Sequence, residues 1–354
     1  MRIHHIAGHE LDDDLTRRWA ALQHVEPVFE SAFFHPQFFR AVAAAKSNVE
    51  LGIVEDGGRA VAFFPFERVS RRVGVPVGGI LSDYHGVVFD RDLDPDFNPL
   101  ELLRACRLSC WDFDHLPAAQ SLIPSDPRRQ IASPQIDLSE GYEGYAQRKR
   151  TAGSHLIARA DYLERRLARE AGPVRFVAQD SDESAFERLL QWKSAQYVRT
   201  RKVDIFGARA ARDVVRNLRQ TQTPEFAGTL STLYAGDRPV AAHFGLRAGG
   251  SFHYWFPAYD VDFARFSPGL ILILKFAARC EAQGVRSIDL GAGLQPYKLR
   301  LATGANQLSA GSFHLSNWFS VTRNVRRDLV HYARQTPFAE SGRALLRATR
   351  ALRG

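Results

Sequence analysis

The sequence predicts a mixed α/β protein made of two related halves joined by a long helix. Three observations carry that expectation. The second half reads as strand, two helices, three antiparallel strands, helix, strand, helix and final strands. A faint internal repeat links the halves. LGIVEDGGRAVAFFPF (51–66) matches TLYAGDRPVAAHFGL (232–246) in shape, and LELLRACRLSC with WDFDHL matches LILKFAARCEAQG with SIDLG. Between them, residues 142–171 form a charge-rich amphipathic pattern ended by Gly172-Pro173, which reads as one helix lying across two domains.

The elements follow in order. An alternating hairpin turns at Asp56-Gly57-Gly58-Arg59, a strong turn signal. A Gly/Pro-rich loop (74–89) precedes a helix over Pro99–Cys110 and a strand over Trp111–Leu116. A Pro-rich connector runs from Leu116 to Pro134 and leads to Ile136–Leu138. After the strand Val174–Ala178, Asp180 to Glu183 looks like a capping box opening the helix Ser181–Thr200. A helix over Ala208–Gln220 precedes a meander of strands at Gly228–Ala235, Pro239–Ala248 and Ser251–Tyr259. The helix Pro268–Gln283 must then cross over so that Ser287–Gly291 lies parallel to its neighbour. A short helix near Gln295–Leu301 and strands around Gln307–Ser316 complete the order. The expected divisions are 1–140, a linker at 141–172, 173–320, and a tail at 321–354.

Composition limits the function. A chain of 354 residues with 45% hydrophobic and 24% charged positions is globular and long enough for two domains. Cys106, Cys110 and Cys280 form no paired spacing, so a disulfide framework or zinc site is not expected and a reducing compartment fits. The N-terminus has no signal-peptide pattern, and no apolar run approaches the ~20 residues of a membrane span. A cytoplasmic protein is expected. The tail carries eight arginines against Asp328 and Glu340, which is +6 of the net +8. It reads as a basic helix pair packed on the domain, with contact to the inner face of an anionic membrane as the alternative. No aromatic interleaving of the RNA-binding kind accompanies it.

The order and several short motifs together resemble the GNAT acyltransferase superfamily, in its CelD-like, FemAB-related branch. The residues that carry the resemblance are Tyr259-Asp260 with Phe263 to Gly269, Ile288 to Gly293, and Tyr297-Lys298. Asp83 to Gly86, Trp111 to His115, and Trp192-Lys193 with Gln196-Tyr197 add to it. It covers most of the chain from about Phe33 to Ser312, as tandem GNAT-like domains with the first one degenerate.

The resemblance implies acetyl-CoA or another acyl-CoA as co-substrate, no metal, and a pyrophosphate on the turn before the apolar helix. Arg265, Phe266, Ser267, Pro268, Gly269 and Leu270 form that turn. Its free N–H groups and helix dipole suit an anion, Arg265 would add charge, and Gly269 would let a backbone approach. The turn holds a single glycine where the better-known loop is richer.

Direct acyl transfer to an amine needs a base, an oxyanion donor and an acid for the thiolate. Asp289 reads either as the base or as a carboxylate capping the Gly-rich backbone. His243 reads as a base candidate or as a half-buried core histidine. Tyr297 is placed to protonate the thiolate and Lys298 to hold a phosphate or carboxylate. His253 and Tyr254 alternate on one strand, so one of them should look into the cleft. Asp83, Tyr84 and His85, in a loop, read as facing the acceptor, with Lys193, Tyr197 and Tyr254. The expected acceptor is an amine on an envelope, polysaccharide or lipid precursor, or on an amino-acid-like molecule. The alternatives are an aminoacyl-tRNA-dependent transferase and a non-catalytic accessory subunit of polysaccharide synthesis.

Overall fold

A computed structural model describes residues 1–125 and 129–315. The first half runs β1 (Arg2–Ala7), α1 (Asp13–Val25), α2 (Pro36–Ala43), β2 (Val49–Asp56), β3 (Arg59–Ser70), β4 (Val73–Val75), β5 (Val88–Phe89), α3 (Leu100–Ala105), β6 (Cys110–Pro117) and β7 (Gln130–Asp137). Two helices follow, α4 (Gly141–Thr151) and α5 (Leu156–Ala171). The second half runs β8 (Val174–Val177), α6 (Glu183–Arg199), α7 (Arg209–Gln220), β9 (Phe226–Ala235), β10 (Arg238–Ala248), β11 (Ser251–Tyr259), α8 (Pro268–Cys280), β12 (Ser287–Asp289), α9 (Pro296–Leu301) and β13 (Gly304–His314). The basic tail expected at 321–354 lies outside the described residues.

All strands belong to one sheet, ordered β1-β2-β3-β4-β6-β13-β7-β12-β11-β10-β9-β8, with β5 paired to β3. The order is the same from either end once the last strands are exchanged. Strand β13 of the second half pairs with β6, strand β7 of the first pairs with β12, and the two meet at the centre. Each half has one parallel pair, β4 with β6 and β11 with β12, as a helical crossover requires. This is a mixed α/β architecture of two related halves, as the internal repeat predicts.

The halves also share a core. Phe33, Phe34, Phe38 and Phe39 around α2 pack in one cluster with Phe244, Trp255 and Phe256 of β10 and β11. Helices α4, α5 and α8 cover the opposite face of the second half, where Tyr145, Leu156 and Ala160 meet Ile273 and Phe276.

The linker differs from expectation. Gly153 has φ 74°, so the chain breaks between α4 and α5 instead of continuing as one helix. Both segments lie against α8, and Glu164 pairs with Lys275 at 2.8 Å. The linker is therefore one wall of the second half. Helix α8 forms because Pro268 suits a first helical position and Ile271 to Leu274, Phe276 and Ala277 are all buried. Each large apolar side chain contributes roughly 1.5–3 kcal/mol there.

Candidate active site

Strands β11 and β12 pair only over Ser251–His253 and Ser287–Asp289. Beyond that point β11 continues to Tyr259, while the other chain turns away at Gly291 (φ 78°) and Gly293 (φ 105°) into α9. The strands splay, and the gap opens at their carboxyl ends, where α/β sheets place ligands.

On the α8 side the gap is a cavity of about 460 Å³. Ser267 and Gly269 at the start of α8, Tyr254 of β11, Lys193 of α6, and Tyr297 and Arg300 of α9 all line it. Ser267 sits in the left-handed region (φ 47°, ψ 54°), and no side chain caps the helix below it. A non-glycine residue held there stores about 1 kcal/mol, a cost often found at ligand clamps. A methyl group at Gly269 would meet only Tyr259 Cδ1 at 3.8 Å, so this position faces open space.

The cations differ from expectation. Arg265 pairs with Glu170 at 3.0 Å, lies over the Phe266 ring, and does not line the cavity. Phe266 is a core residue, 1% exposed. Arg159 of α5 and Arg300 of α9 line the cavity instead, and neither pairs with a carboxylate among the described residues. These two are the arginines that line the cavity among the described residues.

Lys193 donates to the Pro257 carbonyl at 3.1 Å and lies 5.4 Å from the Tyr197 ring centre. Burial lowers its pKa to about 8, with the charges of Lys202 and Lys298 acting the same way and Asp83 opposing them. Burial pushes Tyr197 and Tyr297 up to about 12. The Tyr254 hydroxyl is buried, lines the cavity and has no hydrogen-bond partner. His243 stacks on Tyr254 with ring centres 4.1 Å apart, and Phe252 and Phe276 close the cage. Neither of its ring nitrogens has a partner, and burial lowers its pKa to about 3. His243 is enclosed in the core and does not line the cavity.

The other face of β11 shows His253, as the alternation requires. Its Nε2 lies 2.8 Å from Asp83 Oδ2, while Nδ1 is 3.4 Å from Asp289 Oδ1 with no hydrogen-bond partner. Burial alone would raise the Asp83 carboxyl. The hydrogen bond to His253 and the charges of His253, His115 and Lys298 outweigh it and hold Asp83 below the usual value. An ionised Asp83 requires the proton on Nε2 and leaves a lone pair on Nδ1.

Asp289 accepts from Ser133 Oγ at 2.7 Å, Gly291 N–H at 2.7 Å, Gln135 Nε2 at 3.3 Å and the Tyr84 hydroxyl. Four donors occupy this carboxylate, so it holds the loop and the neighbouring imidazole. Burial and the Asp289 charge raise Tyr84 well above its ordinary value, which keeps it a neutral donor. Lys298 is 7% exposed and donates to the Gly291 and Ala292 carbonyls at 2.8 and 3.0 Å. Two of its three ammonium hydrogens are thus spent on shaping the glycine loop.

The expected loop is split in its roles. Asp83 and Tyr84 enter the site, whereas His85 braces the loop. His85 Nε2 donates to the Ser82 carbonyl at 3.0 Å, and Nδ1 accepts from the Asp114 and His115 amides at 3.4 and 3.2 Å. His85, Asp114 and His115 also bring ligand-type atoms within 4.8 Å of one another. The two amides already occupy the His85 Nδ1 lone pair, so the trio is a weak metal site.

Residues 158–299 match the family model described as an acetyltransferase (GNAT) domain. The second half is a GNAT-type acyltransferase domain. Lys193, Tyr254, Ser267, Gly269 and Tyr297 of the cavity, the splayed strands and the glycine loop lie within the matched segment, and Arg300 one residue beyond it. No curated protein matches the chain. FemX is similar in structure with a TM-score of 0.57 at 11% identity, over 92% of this chain and 100% of that one. The C-terminal domain (DUF2156) of a protein named as a lysylphosphatidylglycerol synthetase from Agrobacterium fabrum is similar with a TM-score of 0.53 at 13% identity, over 89% and 95%. A protein of unknown function from Bacteroides thetaiotaomicron VPI-5482 gives 0.50 at 11%, over 77% and 89%. At these identities the likeness is one of fold, and it spans both halves around the GNAT domain.

Sequence reasoning mentioned His253 but did not make it central, and it missed Arg159, Arg300, Ser133, Gln135 and Asn306. The period-2 pattern of β11 was the one signal pointing to His253.

Proposed function

We propose that the chain transfers an acyl group from acyl-CoA to an amine, with His253 as the base and the first half supplying Asp83 to orient it. The observation that carries this reading is the unpartnered His253 Nδ1, buried beside Asp289 while Nε2–H is tied to Asp83. In the reaction the acceptor nitrogen bonds to the acyl carbon and the carbon–sulfur bond breaks. The nitrogen's proton passes to Nδ1, directly or through one water. The imidazolium formed lies between Asp83 and Asp289. On the donor side the Tyr254 hydroxyl and the Lys193 ammonium supply hydrogen bonds to the oxyanion and a proton to the departing thiolate.

With a lysine at about 8, that proton is present below pH 8 and absent above it. The turnover number should therefore fall as pH rises through about 8, and Lys193→Met should remove that limb. A profile unchanged by Lys193→Met would take the lysine out of the reaction.

Calorimetry with acetyl-CoA tests the donor. Gly269→Asp with Arg300→Ala should weaken binding by about 10–100-fold or more, the value of a hydrogen bond to a charged group with added repulsion. Arg265→Ala should leave it within about twofold. Absence of binding by the folded wild type would remove acyl-CoA. The second reading, an aminoacyl-tRNA donor, is favoured by the exposed Arg159, Arg165 and Arg169 along α5 beside the cavity. Charged tRNA would then bind with a steep salt dependence. No helix among the described residues is long and apolar enough to cross a membrane. Contact with the inner membrane face, in service of envelope or polysaccharide synthesis, would rest on the basic tail.

A further inference from the structure

Across β11 and β12 from the donor cavity lies a second cavity of about 560 Å³, lined by both halves. His253, Asp289 and Tyr84 form its inner end. Its size falls within the usual range for small-molecule sites.

The lining chemistry is selective. Gln135, Asn306 and Gln307 present amides, and Ser31, Ser251 and Ser287 present hydroxyls. Pro27, Val28, Pro117 and Ala118 give a low apolar shelf. The charged members are the carboxylates Glu30 and Asp289, with His253 between the halves, and no lysine or arginine lines the cavity. The nearest cation to Glu30 is Arg286, 3.8 Å away and outside the lining. In a chain with 47 Lys and Arg against 39 Asp and Glu, this is a local reversal of sign. The donor cavity, with Lys193, Arg159 and Arg300, has the opposite charge.

We infer that this cavity takes the acceptor, and that the acceptor is an amine on an uncharged, hydroxyl-rich scaffold of amino-sugar type. The inference rests on the acyl-transfer reading above. Carboxylates attract the ammonium and His253 waits for its proton. Amides and serines match hydroxyl groups, and the flat shelf suits the C–H face of a sugar ring. A phosphate or nucleotide would meet two carboxylates and no cation, which disfavours it by like-charge repulsion. The two substrates thus approach from opposite faces and meet where the strands part.

Saturation-transfer NMR with glucosamine, its β-1,4-linked disaccharide and glucosamine 6-phosphate tests this on the full chain, without any donor. Glucosamine or the disaccharide should bind at least about tenfold tighter than the phosphate. Ala119→Trp, at an exposed lining position, should abolish that signal while leaving acetyl-CoA affinity unchanged. Equal or tighter binding of the phosphate, no binding of either sugar, or sugar binding indifferent to Ala119→Trp would overturn the inference. Loss of acetyl-CoA binding alone would instead fail the donor reading, with the sugar result still standing. Where both bind, thiol release from acetyl-CoA should show a KM for glucosamine raised at least tenfold in Ala119→Trp.

Discussion

Replacing His253 with asparagine is expected to lower kcat by about 10²–10⁴-fold, the usual contribution of a positioned base. Acetyl-CoA affinity should not change, because His253 lies on the opposite face of β11 from the donor cavity. Asparagine is too short to replace Nε2 at Asp83, so His253→Gln, whose longer amide reaches that far, checks that the loop from the first half and the fold survive. Asp83→Asn should act in the same direction but less severely, by freeing the imidazole to adopt the wrong tautomer. A variant that turns over at the wild-type rate would return the role to Asp289.

The second large effect concerns acid. His35 and His243 are 5% and 0% exposed, and burial lowers them to about 4 and about 3, with Arg247 adding to the shift at His35. Their unfolded value is near 6.5, so above that pH neither state binds the proton and nothing is lost. As pH falls below 6.5 the unfolded chain takes up protons that the folded chain refuses, and stability drops until about pH 3–4. At pH 5 each histidine costs about 2 kcal/mol, and the two together cost about 4, a large share of a typical 5–15. His243→Phe keeps the aromatic cage, removes two unpartnered nitrogens and should abolish one of those losses. His85, also lowered to about 4 by burial, keeps its own loss, so denaturant midpoints at pH 7 and pH 5 should move closer in the variant without meeting. Equal pH sensitivity in wild type and variant would show that His243 is hydrated in the folded chain. Retained turnover would confirm that it takes no part in the chemistry.

Local signals made much of the fold legible. Ser-Pro-Gly before a run of apolar residues marks the start of α8, and Asp-Gly-Gly marks the first hairpin, because each depends on backbone preferences a few residues wide. The crossover through α8 forced the parallel pair of β11 and β12. Gly153-Ser154 carried the break in the linker but was outweighed by a charge pattern that fits either one helix or two. The exchange of β7 and β13 was not legible, since strand pairing is chosen by partners more than 150 residues apart, such as Ile288 and Ile136. Site roles failed for a related reason. Arg265 stands beside the anion turn in sequence, but Glu170 from α5 claims it. Lys298 follows the glycine loop, but its ammonium folds back onto that loop. Type and spacing nominate a side chain, and only distant neighbours decide whether its charge is already taken.

The crossed strands also bear on how the chain is born. When the first half leaves the ribosome, β6 and β7 each lack the neighbours that arrive only with residues 287–289 and 304–314. Until then two unsatisfied edges stand open at what will become the centre of the sheet, a risk for pairing between molecules. The seam between the halves is thus one that neither half can finish alone, and severing the chain in the linker would leave two pieces that must find each other before Asp83 can meet His253.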